Sequence, residues 1–235
     1  MTTPGIGTDA GSGRESNPGG LHSGGGSGGD LGAGSGGGSG GGSGGELGSG
    51  GGLHSLVDAL VLVDLQTAFV SGSDAVPGAA ELMDRVRSLL DRARAAGAVV
   101  VHLQNDGPPG ADDEPGTPGW ELFLPVQPGA REHVVRKPRD DGFDGTSLGE
   151  ILVSAGVRSV AICGVMSEMC VHATAKTALA RGYRVVLPHD AHATYDAPAV
   201  PGVADTIPAH IVSRVAAWSL GDQPDNTSPA SSVTF

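Results

Sequence analysis

Residues Ala59-Leu-Val-Leu-Val63 are apolar at five consecutive positions and stop at Asp64. An unbroken run of Val and Leu, with no polar alternation, suits a strand covered on both faces. The same texture returns at Ala98–Leu103, His133–Lys137, Ser159–Gly164 and Tyr183–Leu187. Between these runs the period changes. Pro77 opens a helix in which Leu82, Val86, Leu89, Leu90 and Ala93 recur at helical spacing, and Gly97 ends it. Thr146–Ala155, Cys170–Ala180 and Pro208–Leu220 read as further helices. Strands that alternate with helices need crossover connections, which are right-handed and build a parallel sheet. The pattern therefore predicts an α/β fold, a Rossmann-like three-layer α/β/α sandwich around a parallel sheet of five to six strands.

Glycine marks the limits of that domain. The chain has 235 residues and 41 glycines, and 25 of the glycines lie in residues 1–52. A Gly/Ser-rich stretch has almost no side chains to bury and reads as a disordered tail. Residues 53–221 are then one domain, and residues 222–235 a flexible polar tail. The net charge is −12 and no Lys/Arg cluster interrupts it, which argues against nucleic acid and anionic membrane as partners. The longest apolar stretch, Ala59–Val63, is far too short for a membrane span. The N-terminus lacks the basic start and apolar run of a secretion signal. Cys163 and Cys170 are the only cysteines, which rules out a disulfide framework and fits a cytoplasmic protein with reduced thiols.

In parallel α/β sheets, ligands bind beyond the carboxyl ends of the strands. Asp64 ends the first strand, Lys137 ends the third, and Cys170 opens the helix after the fourth. Three residues far apart in sequence thus fall on one rim. A cysteine at a helix N-terminus is expected to gain thiolate character from the helix dipole. A carboxylate beside it can take the thiol proton, and a lysine can hold both charges in register. Lys137 is one of two lysines in a chain with twelve arginines. Taken singly, each of the three has an ordinary reading: a cap, a solvated charge, a small buried hydrophobe. Cys163, inside an apolar strand, and Lys176, on a helix surface, keep that ordinary reading.

From about Ala59 to Leu220 the chain resembles the isochorismatase-like cysteine hydrolases, which include nicotinamidases and N-carbamoylsarcosine amidohydrolase. The resemblance rests on Val63-Asp-Leu-Gln-Thr-Ala-Phe69, on Arg136-Lys-Pro-Arg-Asp-Asp-Gly-Phe-Asp-Gly-Thr146, and on Gly164-Val-Met-Ser-Glu-Met-Cys-Val171. It implies a catalytic triad of Asp64, Lys137 and Cys170. It also implies a cis peptide at Val165–Met166 and an oxyanion hole made by the backbone N–H groups of Met166 and Cys170. The implied chemistry is hydrolysis of an amide or lactam through a thioester. The nicotinamidase metal motif has no counterpart, because residues 66–86 contain no histidine, so no metal and no cofactor are expected. Isochorismatase-type hydrolysis of a vinyl ether is the alternative, and a non-catalytic binding domain is a third reading. Family members form dimers or tetramers, so a homo-oligomer is expected.

Substrate contacts are sought near the rim. His102, at the end of the second strand, is either a substrate contact or a structural hydrogen-bonding group. His172, His189 and His192 are read as structural. The Pro-, Gly- and acid-rich stretch Gln104–Arg131 reads as a long loop carrying Asp106, Asp112, Asp113, Glu114 and Glu121. If it covers the site, its field favours a small cationic substrate; otherwise it is a solvated acidic loop. Trp120 and Phe123 in the loop either stack on the substrate or pin a lid. Within the family, the region from Val76 onward is similar to the streptothricin hydrolase type, which opens the lactam of a polycationic antibiotic.

Overall fold

The computed structural model describes residues 56–127 and 129–235, so the expected tail of residues 1–52 and its Gly-Gly-Leu-His-Ser repeats lie outside the described residues. Six strands form one sheet: β1 (Ala59–Val63), β2 (Val99–Asn105), β3 (Glu132–Lys137), β4 (Ser159–Val165), β5 (Arg184–Val186) and β6 (His192–Ala193). The order is β3-β2-β1-β4-β5, with β6 also on β4. Every pairing is parallel. This is the expected α/β/α architecture.

The unbroken apolar runs are explained by burial on two sides. All five residues of β1 and all seven of β4 are buried. Along β1 the side chains alternate between two cores. Leu60 and Leu62 pack toward α2 (Ala79–Ala96) through Leu82, Val86, Leu89 and Leu90. Ala59, Val61 and Val63 share the other core with α3 (Leu148–Ser154), α4 (His172–Ala180) and Ala217 of α5 (Ala209–Trp218). Each fully buried Leu or Val on these faces is worth roughly 1.5–3 kcal/mol against exposure. A short helix, α1 (Thr67–Val70), lies between β1 and α2.

Three local differences from the sequence reading matter. β2 runs on through Gln104 to Asn105, because their backbones stay in the ladder with Arg136 and Lys137 after the apolar side chains end. The helix expected to open at Cys170 opens at His172, and Cys170 lies in a π-turn, Ser167–Val171, just before it. Residues 222–235 are not a free tail. Ala230 and Val233 are buried against the α2 core. Arg92 donates to the carbonyls of Ala230, at 2.7 Å, and Val233. Asp225 exchanges backbone hydrogen bonds with Val185 and Leu187, so this segment extends the β5 edge.

Candidate active site

Register alone brings the rim together. Val63 pairs with Leu103 on one side and Gly164 on the other, and Asn105 pairs with Lys137. Asp64, the end of β2, the end of β3 and the turn after β4 therefore leave the sheet side by side. Gly164 is what lets β4 run this close: its φ is +126°, and a Cβ there would sit 2.0 Å from the Val63 carbonyl oxygen. Asp64 itself has φ +50°, a left-handed conformation that short polar residues tolerate better than others.

Lys137 is fully buried and sits at the centre of the cluster. Its Nζ lies 2.8 Å from Asp64 Oδ2. It also donates toward Cys170 Sγ at 3.2 Å, Asn105 Oδ1 at 3.2 Å and the Arg139 carbonyl at 3.1 Å. An ammonium has three hydrogens, so four acceptors share them. Cys170 is 9% exposed, and its Sγ lies 3.6 Å from Asp140 Oδ1. Asp64 Oδ1 is buried and has no hydrogen-bond partner. The Val165–Met166 peptide is cis.

The charges are held unevenly. Burial raises Asp64 to about 6, against the pull of Lys137. Lys137 is disfavoured as a cation by burial, yet Asp64 and Cys170 together keep its pKa above the ordinary lysine value. Burial and then the Asp64 charge push the Cys170 thiol up, and Lys137 only partly offsets them. The resting thiolate expected from a helix N-terminus is therefore not what the site stabilises. It favours a thiol and a carboxylate on either side of a lysinium, with the carboxylate's Oδ1 unpaired.

The other expected contacts divide. His102 does not join the cluster. Strand alternation turns it to the α2 side, where it is buried and its Nε2 lies 2.9 Å from Glu132 Oε1, which also binds Arg94 of α2 at 2.7 Å. It is a structural hydrogen-bonding group. Trp120 is half-buried, donates from Nε1 to Asp106 Oδ1 at 3.0 Å, and lies under the Arg136 guanidinium, 5.0 Å from its ring centre. Phe123 is partly buried and packs against the α2 core, as do Phe69 and Met166. The loop that carries both is stitched to the chain just after Asp64: Thr67 N donates to Glu121 O, and Ala68 N to Gly119 O, both at 2.9 Å.

Two side chains of the site were missed in sequence. Asn105 links Lys137 to the loop, accepting from Nζ while its Nδ2 donates to Asp113 Oδ2 at 2.7 Å. Gln66 clasps the Asn105 backbone from both sides, at 3.0 and 2.8 Å. The signal that finds Asn105 is the strand-end rule applied to the end of β2, and Gln66 follows β1 by three residues. Among the described residues no group of three or more His, Cys, Asp or Glu is arranged to hold a metal ion.

Residues 58–205 match the family profile described as the isochorismatase domain. The chain belongs to the isochorismatase family. It is 65% identical over 179 residues to a streptothricin hydrolase of Streptomyces noursei, an alignment that spans 76% of this chain and 65% of that protein. The chain thus covers just under two thirds of that relative's length. Among solved structures, an isochorismatase from Pseudomonas putida is similar at TM-score 0.66 and 29% identity, covering 75% of this chain and 90% of that one. N-carbamoylsarcosine amidase from Thermoplasma acidophilum is similar at TM-score 0.55 and 32% identity, covering 60% and 86%. In isochorismatase-family terms, the described domain holds the shared fold, and no helix among the described residues is long and apolar enough to cross a membrane.

Proposed function

We propose that this chain is a cysteine hydrolase that opens an amide or lactam C–N bond, acting on a cationic antibiotic of the streptothricin type. The observation that carries the reading is the unbroken contact from Asp64 through Lys137 to Cys170, 2.8 and 3.2 Å long. Streptothricin hydrolase among the relatives and the amidase among the structural neighbours support the class of bond.

Asp64 takes the proton of Cys170 as sulfur attacks the carbonyl carbon, and the new C–S bond leaves a tetrahedral oxyanion. The N–H groups of Met166 and Cys170 stabilise that oxygen, and Lys137 holds the Asp64–Cys170 pair while the proton moves. Collapse of the intermediate breaks the C–N bond, and Asp64 returns the proton to the leaving nitrogen. Water then attacks the thioester with Asp64 as base, releasing the acid and the thiol. Trp120 and Phe123 are the candidate substrate contacts on the loop, whose acids favour a cation.

The test is a panel of a streptothricin lactam, simple amides and isochorismate, with products and intact protein mass followed by mass spectrometry. Lactam opening with a transient acyl adduct on Cys170 is expected, and Cys170→Ala should lose turnover by on the order of 10⁴-fold or more. Full turnover by Cys170→Ala would falsify the scheme. Cleavage of isochorismate alone would move the chain to the vinyl-ether reading, and inactivity on every member would favour a binding domain.

A further inference from the structure

Cys170 has two carboxylates near it, and the mechanism uses only the buried one, Asp64. The second is Asp140. It is exposed, and its Oδ1 lies 3.6 Å from Sγ, within reach of the weak hydrogen bond a thiol donates. Among the described residues its side chain has no other hydrogen bond and no ion pair. The chain around it is nevertheless tied down. The Arg139 carbonyl accepts from Lys137 Nζ at 3.1 Å. Asp141 accepts from Phe143 N at 2.9 Å and from Thr177 Oγ1 at 2.7 Å, and Gly142 N donates to Thr174 Oγ1 at 2.9 Å. Asp140 is thus held between two anchored neighbours.

The cations next to it in sequence are committed elsewhere. Arg139 pairs with Asp144 at 2.7 Å, Arg136 with Asp106 at 2.8 Å, and Lys137 is shared among Asp64, Cys170, Asn105 and the Arg139 carbonyl. Attack by sulfur needs the carbonyl carbon about 3–3.5 Å from Sγ. A carbonyl placed there brings the groups one or two bonds from its carbon up to Asp140. Negative charge beside a developing thiolate and oxyanion is unfavourable. A positive group on the substrate cancels that penalty, a neutral group leaves it, and a negative group adds to it.

We propose that Asp140 is a specificity-determining residue of the Cys170 site, whose carboxylate receives an ammonium or guanidinium borne within two bonds of the scissile carbonyl. The proposal rests on the reading of Cys170 as a hydrolase nucleophile and narrows where the substrate carries its charge. The acids of residues 104–131 supply a diffuse field, whereas Asp140 supplies a point contact beside the reacting atom.

Thiol labelling of the full chain near neutral pH tests this with three methanethiosulfonates: aminoethyl as cation, methyl as neutral and sulfonatoethyl as anion. In each, Sγ forms a disulfide bond with the reagent sulfur, methanesulfinate leaves, and the thiol proton passes to solvent. Peptide mass spectrometry reads the rate at Cys170, and division by the rate with 2-mercaptoethanol removes each reagent's own reactivity. The cation should then lead the anion by about tenfold or more. Asp140→Asn should cut that ratio by about fivefold or more, and Asp140→Lys should reverse it. Asp84→Asn, the same loss of charge on the exposed face of α2, should leave the ratio unchanged. Equal rates for the three reagents in the parent overturn the proposal. So does an undiminished ratio in Asp140→Asn, an equal loss in Asp84→Asn, or no labelling of Cys170 at all. The readout needs no turnover, so the two readings fail separately. The expected ratios without lactam opening would sustain Asp140 and count against the proposed reaction. Lactam opening without charge preference would remove Asp140 alone.

Discussion

Asp64, after β1, and Glu132, at the start of β3, are carboxylates of the same sheet whose side chains are 4% and 7% exposed, each beside a cation. They end at opposite extremes. Burial disfavours the Glu132 charge, but Arg94, the Gln127 N–H and His102 overcome it and hold the acid down to about 2. Burial wins at Asp64, which rises to about 6. The difference is the count of donors. Glu132 Oε1 alone receives Arg94, Gln127 N and His102 at 2.7, 3.0 and 2.9 Å, and Oε2 receives Arg94 Nε at 3.0 Å. Asp64 has only Lys137 on Oδ2 and the Cys170 thiol beside it, and its Oδ1 accepts no geometrically formed hydrogen bond. Burial makes a carboxylate expensive, and the donors around it decide whether it becomes scaffold or stays ready to take a proton.

Removing the cation from the poised pair should do the most damage. Lys137→Met is expected to lower kcat/KM by on the order of 10³-fold or more, and to cost roughly 3 kcal/mol in urea unfolding at neutral pH by leaving Asp64 unpaired. Lys137→Arg should not restore activity, because the fork is differently shaped.

The acid itself comes next. Asp64→Asn should lower kcat/KM by roughly 10²–10⁴-fold. In the parent, activity should rise with pH through a limb near 6, where Asp64 ionises, and a pH series on the variant should show no such limb. A parent profile flat from pH 5 to 7 would remove Asp64 as the base.

Glu132→Gln should invert that result, leaving kcat/KM within about threefold while lowering stability by roughly 1–3 kcal/mol at pH 7. The signs of the pH dependence also oppose one another. Glu132 is depressed on folding, so its contribution is full above about 4.5 and fades as pH falls toward 2. Asp64 is raised, so its ionised form costs stability, a cost absent below about 3.8 and complete above about 6. Urea midpoints of parent and Glu132→Gln should therefore converge on acidification.

The smallest effect should come from His102→Gln, with KM unchanged within about twofold and stability lower by about 1 kcal/mol. A KM rise of tenfold or more on the working substrate would return His102 to the substrate site.

Much of this was legible in the chain. Asp64 and Lys137 stand where apolar runs stop, and in a parallel sheet the end of a run is the end of a strand. Asn105 was hidden because β2 continues after its apolar side chains end, and backbone ladder bonds leave no mark on side-chain hydropathy. His102 was ambiguous because its partners, Arg94 and Glu132, come from separate elements. Ala230 and Val233 are too sparse to show a period, so the docking of residues 222–235 against α2 could not be read. Cys170 was expected to open a helix and to ionise easily; it lies two residues before the helix, and burial together with the neighbouring Asp64 pushes its thiol up.

By itself the sequence determined the element order, the parallel sheet and the three side chains at its carboxyl rim, because these follow from local periodicity and strand direction. The tertiary structure decided which acid is satisfied and which is poised, and where His102 points. Those outcomes depend on donors brought in from distant segments, and no local pattern encodes how many will arrive.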